Sequence, residues 1–383
     1  MIAAGEASGD MHGARLLQEM VCLRPGISAT GLCGPELVRA GMEQLVDASK
    51  VAVVGIVEVV SHLPEIRAAM DTLTRRLQQG DIRLLILIDF PDFNLRLAKK
   101  AKQLGVPIFY YISPQLWAWR SGRVHTIRRL VDRMAVILPF EKAFYAGFGM
   151  EVEYVGHPLV DRVAVRVPLA KWRQEHAVAK ESHVVGLLPG SRTKEIRTLL
   201  PIFLHTARAL VREGKRKGRN YLFVLPVAAT VSHADLAAGG FSPDDPDLAI
   251  LLVRDNRYDA MAACDAALAA SGTVALELAL LGIPMAIAYK VSSITALLVR
   301  WLAQVAHVSL VNLIAGREIV PEFLQDDVEP RKMASALEQM LHDERTRSMM
   351  RSSLAQVRTM LGSAGASKRA AAAALKTMGA AIH

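Results

Sequence analysis

The chain has 383 residues, enough for two domains of ordinary size and too many for one comfortable core. Hydrophobic residues make up 52% of it and charged residues 22%, which excludes an extended, disordered character. Its 46 Lys and Arg outnumber 37 Asp and Glu, and the formal charge of +9 favours anionic partners; with no aromatic-rich basic stripe, nucleic acid is not expected among them.

The elements alternate along most of the chain. Residues 1–4 are apolar but short for a first strand, so that strand is expected to be truncated or to start upstream. A glycine-rich turn, Gly5-Glu6-Ala7-Ser8-Gly9-Asp10, then leads into a helix over 12–20. Such a turn offers backbone N–H groups and a positive helix end to an anion; a plain turn capped by Ser8 or Asp10 explains it equally well. Residues 51–60 are apolar apart from Gly55 and Glu58, and Leu63 follows. They are too short to span a bilayer and suit a core helix or one dipping into a membrane interface.

Residues 84–88 are continuously apolar and end in Asp89, as a buried parallel strand should. A helix over 93–104, stopped by Gly105 and Pro107, and a strand over 108–112 complete one βαβ unit. The pattern repeats with strands at 135–138 and 152–155 around a helix at 141–148. Asp92 is placed to cap the helix that follows it, whereas Asp89, at the carboxyl end of a central strand, is better placed to accept a proton from an attacking hydroxyl.

After Gly156-His157-Pro158 the sequence turns polar, and a domain boundary is expected within 160–180. A second series has strands at 184–188, 221–225, 249–253, 266–269 and 285–289. Two such series predict an α/β protein of two Rossmann-like domains facing a central cleft. Pro189-Gly190-Ser191-Arg192 joins a strand to a helix: Gly190 permits close approach of a phosphate, Ser191 can donate to it, and Arg192 can grip a diphosphate. Ser271-Gly272-Thr273 joins another strand to another helix, with Glu277 one turn on, suited to two ribose hydroxyls. Together these describe a nucleoside diphosphate site. In residues 294–308, Arg300, Gln304 and His307 share one helical face and Leu297, Leu298, Trp301, Leu302 and Val305 the other. Burial is the default for such a segment, but the basic surface beside it tilts the expectation toward membrane contact, with Val53, Val57, Val60, Leu63 and Trp301 as lipid-contact candidates.

Cys22, Cys33 and Cys264 are odd in number and lack metal-ligand spacing, so neither a disulfide framework nor a metal site is expected, and a reducing cytosol fits. No leader-like start is visible, and no apolar run reaches the ~20 residues that span a bilayer.

In chain order the motifs become specific: Gly5 to Asp10; Ile88-Asp89-Phe90-Pro91-Asp92-Phe93-Asn94; Ser113-Pro114-Gln115-Leu116-Trp117-Ala118-Trp119-Arg120; Leu138-Pro139-Phe140-Glu141; Val155-Gly156-His157-Pro158; Leu188-Pro189-Gly190-Ser191-Arg192; Ala270-Ser271-Gly272-Thr273; and Ser309-Leu310-Val311-Asn312-Leu313-Ile314-Ala315-Gly316-Arg317-Glu318. This series closely resembles the lipid-A-disaccharide synthase family of Gram-negative bacteria over nearly the whole chain. The resemblance implies a metal-independent, inverting glycosyltransferase of the GT-B type, needing no cofactor. It would move 2,3-diacylglucosamine from UDP to the 6-hydroxyl of 2,3-diacylglucosamine 1-phosphate at the cytoplasmic face of the inner membrane. It implies an acceptor and lipid domain over 1–165, a UDP-sugar domain over 166–345, and terminal helices over 346–383 packing back across the boundary. Asp89 would match the family's essential aspartate and act as base. Asn312 and Arg317 would lie near the diphosphate or donor sugar, and the turn with Glu6, Ser8, Gly9 and Asp10 would hold the acceptor's phosphate or sugar. A homo-oligomer is compatible with the sequence. The rivals are another UDP-N-acetylglucosamine-using enzyme of this architecture, such as a transferase or a 2-epimerase, and a non-catalytic nucleotide- and lipid-binding protein on the membrane.

Overall fold

The structure, a computed structural model, describes residues 1–51, 63–119, 121–228, 231–291 and 306–380. Val53, Val57, Val60, Arg120 and Trp301 lie outside the described residues. The chain divides into two compact units, Met1–Pro158 with Leu361–His383, and Leu159–Met360. The expected terminal segment 346–383 is therefore shared: helix Glu344–Met360 belongs to the second unit and helix Ala366–Ala380 to the first.

Among the described residues, the first unit carries seven parallel strands: β1 (Ile2–Ala4), β2 (Thr30–Cys33), β3 (Glu43–Asp47), β4 (Leu85–Ile88), β5 (Ile108–Tyr111), β6 (Arg133–Val136) and β7 (Glu153–Tyr154), in the order β3-β2-β1-β4-β5-β6-β7. Short as it is, β1 is central, with Ile2 in register with Gly31 on one side and Ile86 on the other. The two-residue period of a strand sorts the side chains between the faces. Leu85 and Leu87 join a core with Leu73, Leu97, Val124 and Ile127, while Ile86 and Ile88 join another with Leu16, Leu17, Ala370 and Ala374. Helices thus cover both faces, which is why β4 reads as an unbroken apolar run. Each such leucine or isoleucine contributes about 1.5–3 kcal/mol through burial. The terminal helix buries alanines, whose small side chains allow it to lie close against helix Ala7–Leu23.

Among the described residues, the second unit has six parallel strands: β8 (Ser182–Leu188), β9 (Asn220–Pro226), β10 (Ile250–Val253), β11 (Ala266–Ala270), β12 (Met285–Tyr289) and β13 (Glu322–Leu324), in the order β10-β9-β8-β11-β12-β13. No described helix is long and apolar enough to cross a membrane.

In both sheets the chain works outward in one direction, then returns to the centre and works outward in the other. The reversal falls between β1 and β4 in the first sheet and between β8 and β11 in the second. The crevice outside the carboxyl ends of such a strand pair is where open parallel sheets receive ligands.

Candidate functional site

Two motifs of the first unit open onto the β1–β4 crevice, since turn 5–10 follows β1 and Asp89 follows β4. Asp89 and Phe90 are both left-handed, with φ of 46° and 48°, a conformation that costs non-glycine residues about 1–3 kcal/mol each. The turn is held from several sides. The Asp89 carbonyl accepts from Asn94 Nδ2 and from the Tyr110 hydroxyl, each at 2.7 Å. The Phe90 ring lies against Gly5, where a Cβ would stand 2.3 Å from Phe90 Cδ1. Helix Pro91–Gln103 has Phe90 at its N-cap, with Pro91 in the first turn where its missing N–H costs nothing. Asp92, expected to be that cap, instead sits in the first turn and pairs with Arg123 at 2.7 Å.

Burial raises the Asp89 carboxyl from 3.8 to about 6, and the negative charge of Glu6 adds to the rise. A carboxylate with that proton affinity is ionised at neutral pH, yet basic enough to take a proton from a hydroxyl whose acidity grows during attack. Glu6 and Ser8 are exposed at the mouth of the same turn, and Glu6 precedes helix Ala7–Leu23 without capping it through its side chain. The other two acceptor candidates are structural in this setting. Gly9 is buried against β1 and β4. The Asp10 carboxylate accepts from the backbone amides of Gly34 at 2.8 Å, Glu36 at 2.8 Å and Leu37 at 3.2 Å, so it holds the start of helix Pro35–Arg39.

The Ser113–Trp119 and Leu138–Glu141 motifs follow β5 and β6. Glu141 is buried and accepts from the Leu138 amide at 2.9 Å; burial raises its carboxyl to about 7. Ser113 Oγ and the Tyr145 hydroxyl are 2.5 Å apart, and Trp117 meets Phe140 edge-on at 5.0 Å.

In the second unit, turn 189–192 follows β8 and turn 270–273 follows β11, and these strands are register neighbours, Leu188 opposite Ala269. The six sequence candidates Gly190, Ser191, Arg192, Ser271, Gly272 and Thr273 therefore share one crevice. Gly190 adopts φ 118°, and a Cβ there would lie 2.2 Å from Glu195 Oε2. That same oxygen accepts from the amides of Ser191 at 3.0 Å and Arg192 at 3.3 Å. The Arg192 side chain is 74% exposed, 3.6 Å from Glu195. Gly272 is extended and faces open space, with nothing within 4 Å of a Cβ, ahead of helix Thr273–Leu281. Tyr289, at the carboxyl end of β12, has its hydroxyl pKa raised by burial and further by the charge of Glu195, and was not singled out by the sequence.

Glu277 is buried, and its Oε1 accepts from Arg257 Nη2 at 2.6 Å and the Tyr258 hydroxyl at 3.2 Å. Burial raises its carboxyl, and Arg257 opposes the rise. Asn312 is fully buried, and its amide is saturated within its own segment. Oδ1 accepts from Ile319 N at 2.8 Å and Val320 N at 3.1 Å; Nδ2 donates to Val320 O at 2.9 Å and Glu322 Oε1 at 2.7 Å. Hydrogen bonds link this segment to Ser271 of the 270–273 turn. Glu322 accepts from the amides of Val308 at 2.9 Å and Ser309 at 3.0 Å, and Val308 O accepts from Ser271 Oγ at 3.1 Å. Sequence reading missed Glu322; its place at the start of a short strand gave no signal. Arg317 is exposed and donates to Ser353 at 3.2 Å on helix Glu344–Met360.

Residues 1–377 match the lipid-A-disaccharide synthetase family. Lipid-A-disaccharide synthase of Geobacter metallireducens is 44% identical over 383 residues, covering 99% of this chain and 97% of that protein. The synthase of Nitrosococcus oceani is 44% identical over 374 residues, 96% of this chain and 93% of its own. Among solved structures, the glycotransferase of kitacinnamycin superimposes with a TM-score of 0.65 at 14% identity, covering 98% of each chain. The UDP-GlcNAc 2-epimerase of Neisseria meningitidis, solved with UDP-GlcNAc, gives 0.62 at 12% identity, covering 96% of this chain and 97% of that one. These two distant likenesses speak to the fold alone. With the family matched from end to end and curated relatives at 44% identity, the chain belongs to the lipid-A-disaccharide synthetase family and is a glycosyltransferase built of two parallel-sheet α/β domains.

Proposed function

We propose that this chain transfers 2,3-diacylglucosamine from UDP to the 6-hydroxyl of 2,3-diacylglucosamine 1-phosphate, giving the β-1,6-linked disaccharide 1-phosphate and UDP. The observation that carries the reading is Asp89, a carboxyl at the β1–β4 crevice that keeps its proton up to about pH 6. Asp89 takes the proton of the 6-hydroxyl as that oxygen bonds to the anomeric carbon. The bond from the anomeric carbon to the diphosphate breaks, and UDP leaves with the electron pair. Arg192, Ser191, Gly190 and the start of helix Thr273–Leu281, with Ser271 and Gly272, receive the charge on the leaving diphosphate. Glu277, oriented by Arg257 and Tyr258, faces the ribose. Asn312 acts by fixing Glu322 and the 308–309 amides, which hold Ser271 through Val308 O. Glu6 and Ser8 meet the acceptor.

The first unit takes the acceptor lipid and the second the UDP-sugar. The enzyme works at the cytoplasmic face of the inner membrane, where both lipids lie, with Val53, Val57, Val60, Leu63 and Trp301 as contacts; Leu63 is half-buried at the start of helix Leu63–Gln78. Asp89→Asn tests the assignment of the base: loss of turnover with retained UDP binding supports it, and near-normal turnover rejects it. Family membership over residues 1–377 disfavours both an epimerase and a non-catalytic binder.

A further inference from the structure

We propose that Tyr110 and Asn94 are positioning residues for the transfer reaction, together holding the Asp89 carbonyl so that the left-handed turn presents its carboxylate to the acceptor. The inference rests on the reading of Asp89 as base.

Tyr110 lies in the middle of β5, opposite Leu87 of β4, among aliphatic side chains. It is fully buried, and phenylalanine would fill the same space. A hydroxyl is costly in such a place unless it is bonded, and its bond here goes to the Asp89 carbonyl at 2.7 Å. Asn94 is also fully buried. Its Nδ2 donates to the Asp89 carbonyl at 2.7 Å and reaches Ile88 O at 3.2 Å and Ala3 O at 3.4 Å, the carboxyl ends of both strands of the crevice. The amide cannot be turned round, because Oδ1 would then face three carbonyls. In the orientation it has, Oδ1 is buried with no hydrogen-bond partner among the described residues. An apolar residue would avoid that orphaned acceptor, so stability alone does not account for asparagine here.

The two donors converge on one oxygen, and that oxygen belongs to the first of two consecutive left-handed residues without glycine. Without them the peptide after Asp89 is free to rotate back toward an extended conformation and carry the carboxylate with it. A displacement of about 1 Å at a reacting group can lower a rate by about 100-fold.

The test compares Tyr110→Phe, Asn94→Ser and Asp89→Asn in the full chain. Each is assayed for turnover with the UDP-sugar lipid and the acceptor lipid, for UDP affinity, and for thermal unfolding. The inference expects Tyr110→Phe and Asn94→Ser to lower kcat at least about 10-fold, with KM for both lipids and UDP affinity within about 2-fold of the parent. It also expects the acid limb of the kcat/KM profile to move to lower pH as the carboxylate gains solvent. Among the described residues, Glu6 is the charged group that acts on Asp89 and Tyr110 the titratable one, and Glu6 is unchanged in these variants. Folded Tyr110→Phe with normal kcat and an unmoved acid limb overturns the inference, as does a loss of activity that merely follows the unfolded fraction. If Asn94→Ser fails to fold, the isosteric tyrosine variant decides alone. Near-normal turnover of Asp89→Asn sinks the base assignment, whereas an inactive Asp89→Asn beside a normal Tyr110→Phe sinks the positioning role only.

Discussion

Replacing Asp89 by asparagine removes a charge that the fold holds at a cost, and the size of that cost follows from the proton affinity. Above pH 6 the folded protein carries Asp89 ionised although burial favours the neutral form; in the unfolded chain the carboxyl ionises near its ordinary 3.8. The folded value is the higher one, so the native state binds more protons between about pH 4 and 6, and stability falls as pH rises through that window. At 1.36 kcal/mol per pH unit, the 3.8-to-6 gap amounts to about 3 kcal/mol once both states are ionised, and to about 0.6 kcal/mol at pH 4. Asparagine has the same shape and no charge. Asp89→Asn should therefore gain up to about 3 kcal/mol at pH 8 and well under 1 kcal/mol at pH 4, while losing its turnover. Urea titrations at the two pH values, following unfolding of the first unit, measure this directly. No gain at pH 8, or equal gains at both pH values, would refute the claim that burial of this carboxylate sets its proton affinity.

Three further outcomes follow from the geometry. Arg192→Ala, which removes a side chain 74% exposed, should leave the melting temperature unchanged and weaken UDP binding by about 10- to 100-fold in calorimetry, the worth of a lost charge-assisted bond. Asn312→Ala strips four hydrogen bonds from a fully buried segment; thermal unfolding should show a loss of about 3 kcal/mol or more, and calorimetry on the folded fraction a weakened UDP affinity as Ser271 loses its support. Gly5→Ala puts a methyl group 2.3 Å from the Phe90 ring, so it should lower both stability, by about 1–3 kcal/mol, and turnover; a variant with parental kcat would show that the ring need not lie there.

The strands and turns that position these residues were legible where burial on both faces writes a continuous apolar run, as in β4 and β8. Strands β2, β3 and β13 gave little signal: Glu43 and Gln44 are exposed in β3, and β13 opens with Glu322. Turns 5–10, 189–192 and 270–273 were readable because strand, glycine and helix start stand together in the sequence. What could not be read was how each polar side chain spends its hydrogen bonds. Asp10 and Asn312 have the residue types of ligand groups, but Gly34 to Leu37, far from Asp10 along the chain, and Val320 to Glu322, on the same segment as Asn312, take up their capacity. The left-handed turn at Asp89 and Phe90 was hidden for a similar reason. Gly5, Asn94 and Tyr110 hold it, and they meet only once β1, β4 and β5 lie side by side.

The central claim is tested most directly by incubating the purified chain with UDP-2,3-diacylglucosamine and 2,3-diacylglucosamine 1-phosphate, with chelator present, and following the lipid products by mass. The account predicts a disaccharide 1-phosphate formed in step with UDP release. Folded protein that binds UDP but yields no disaccharide would contradict it.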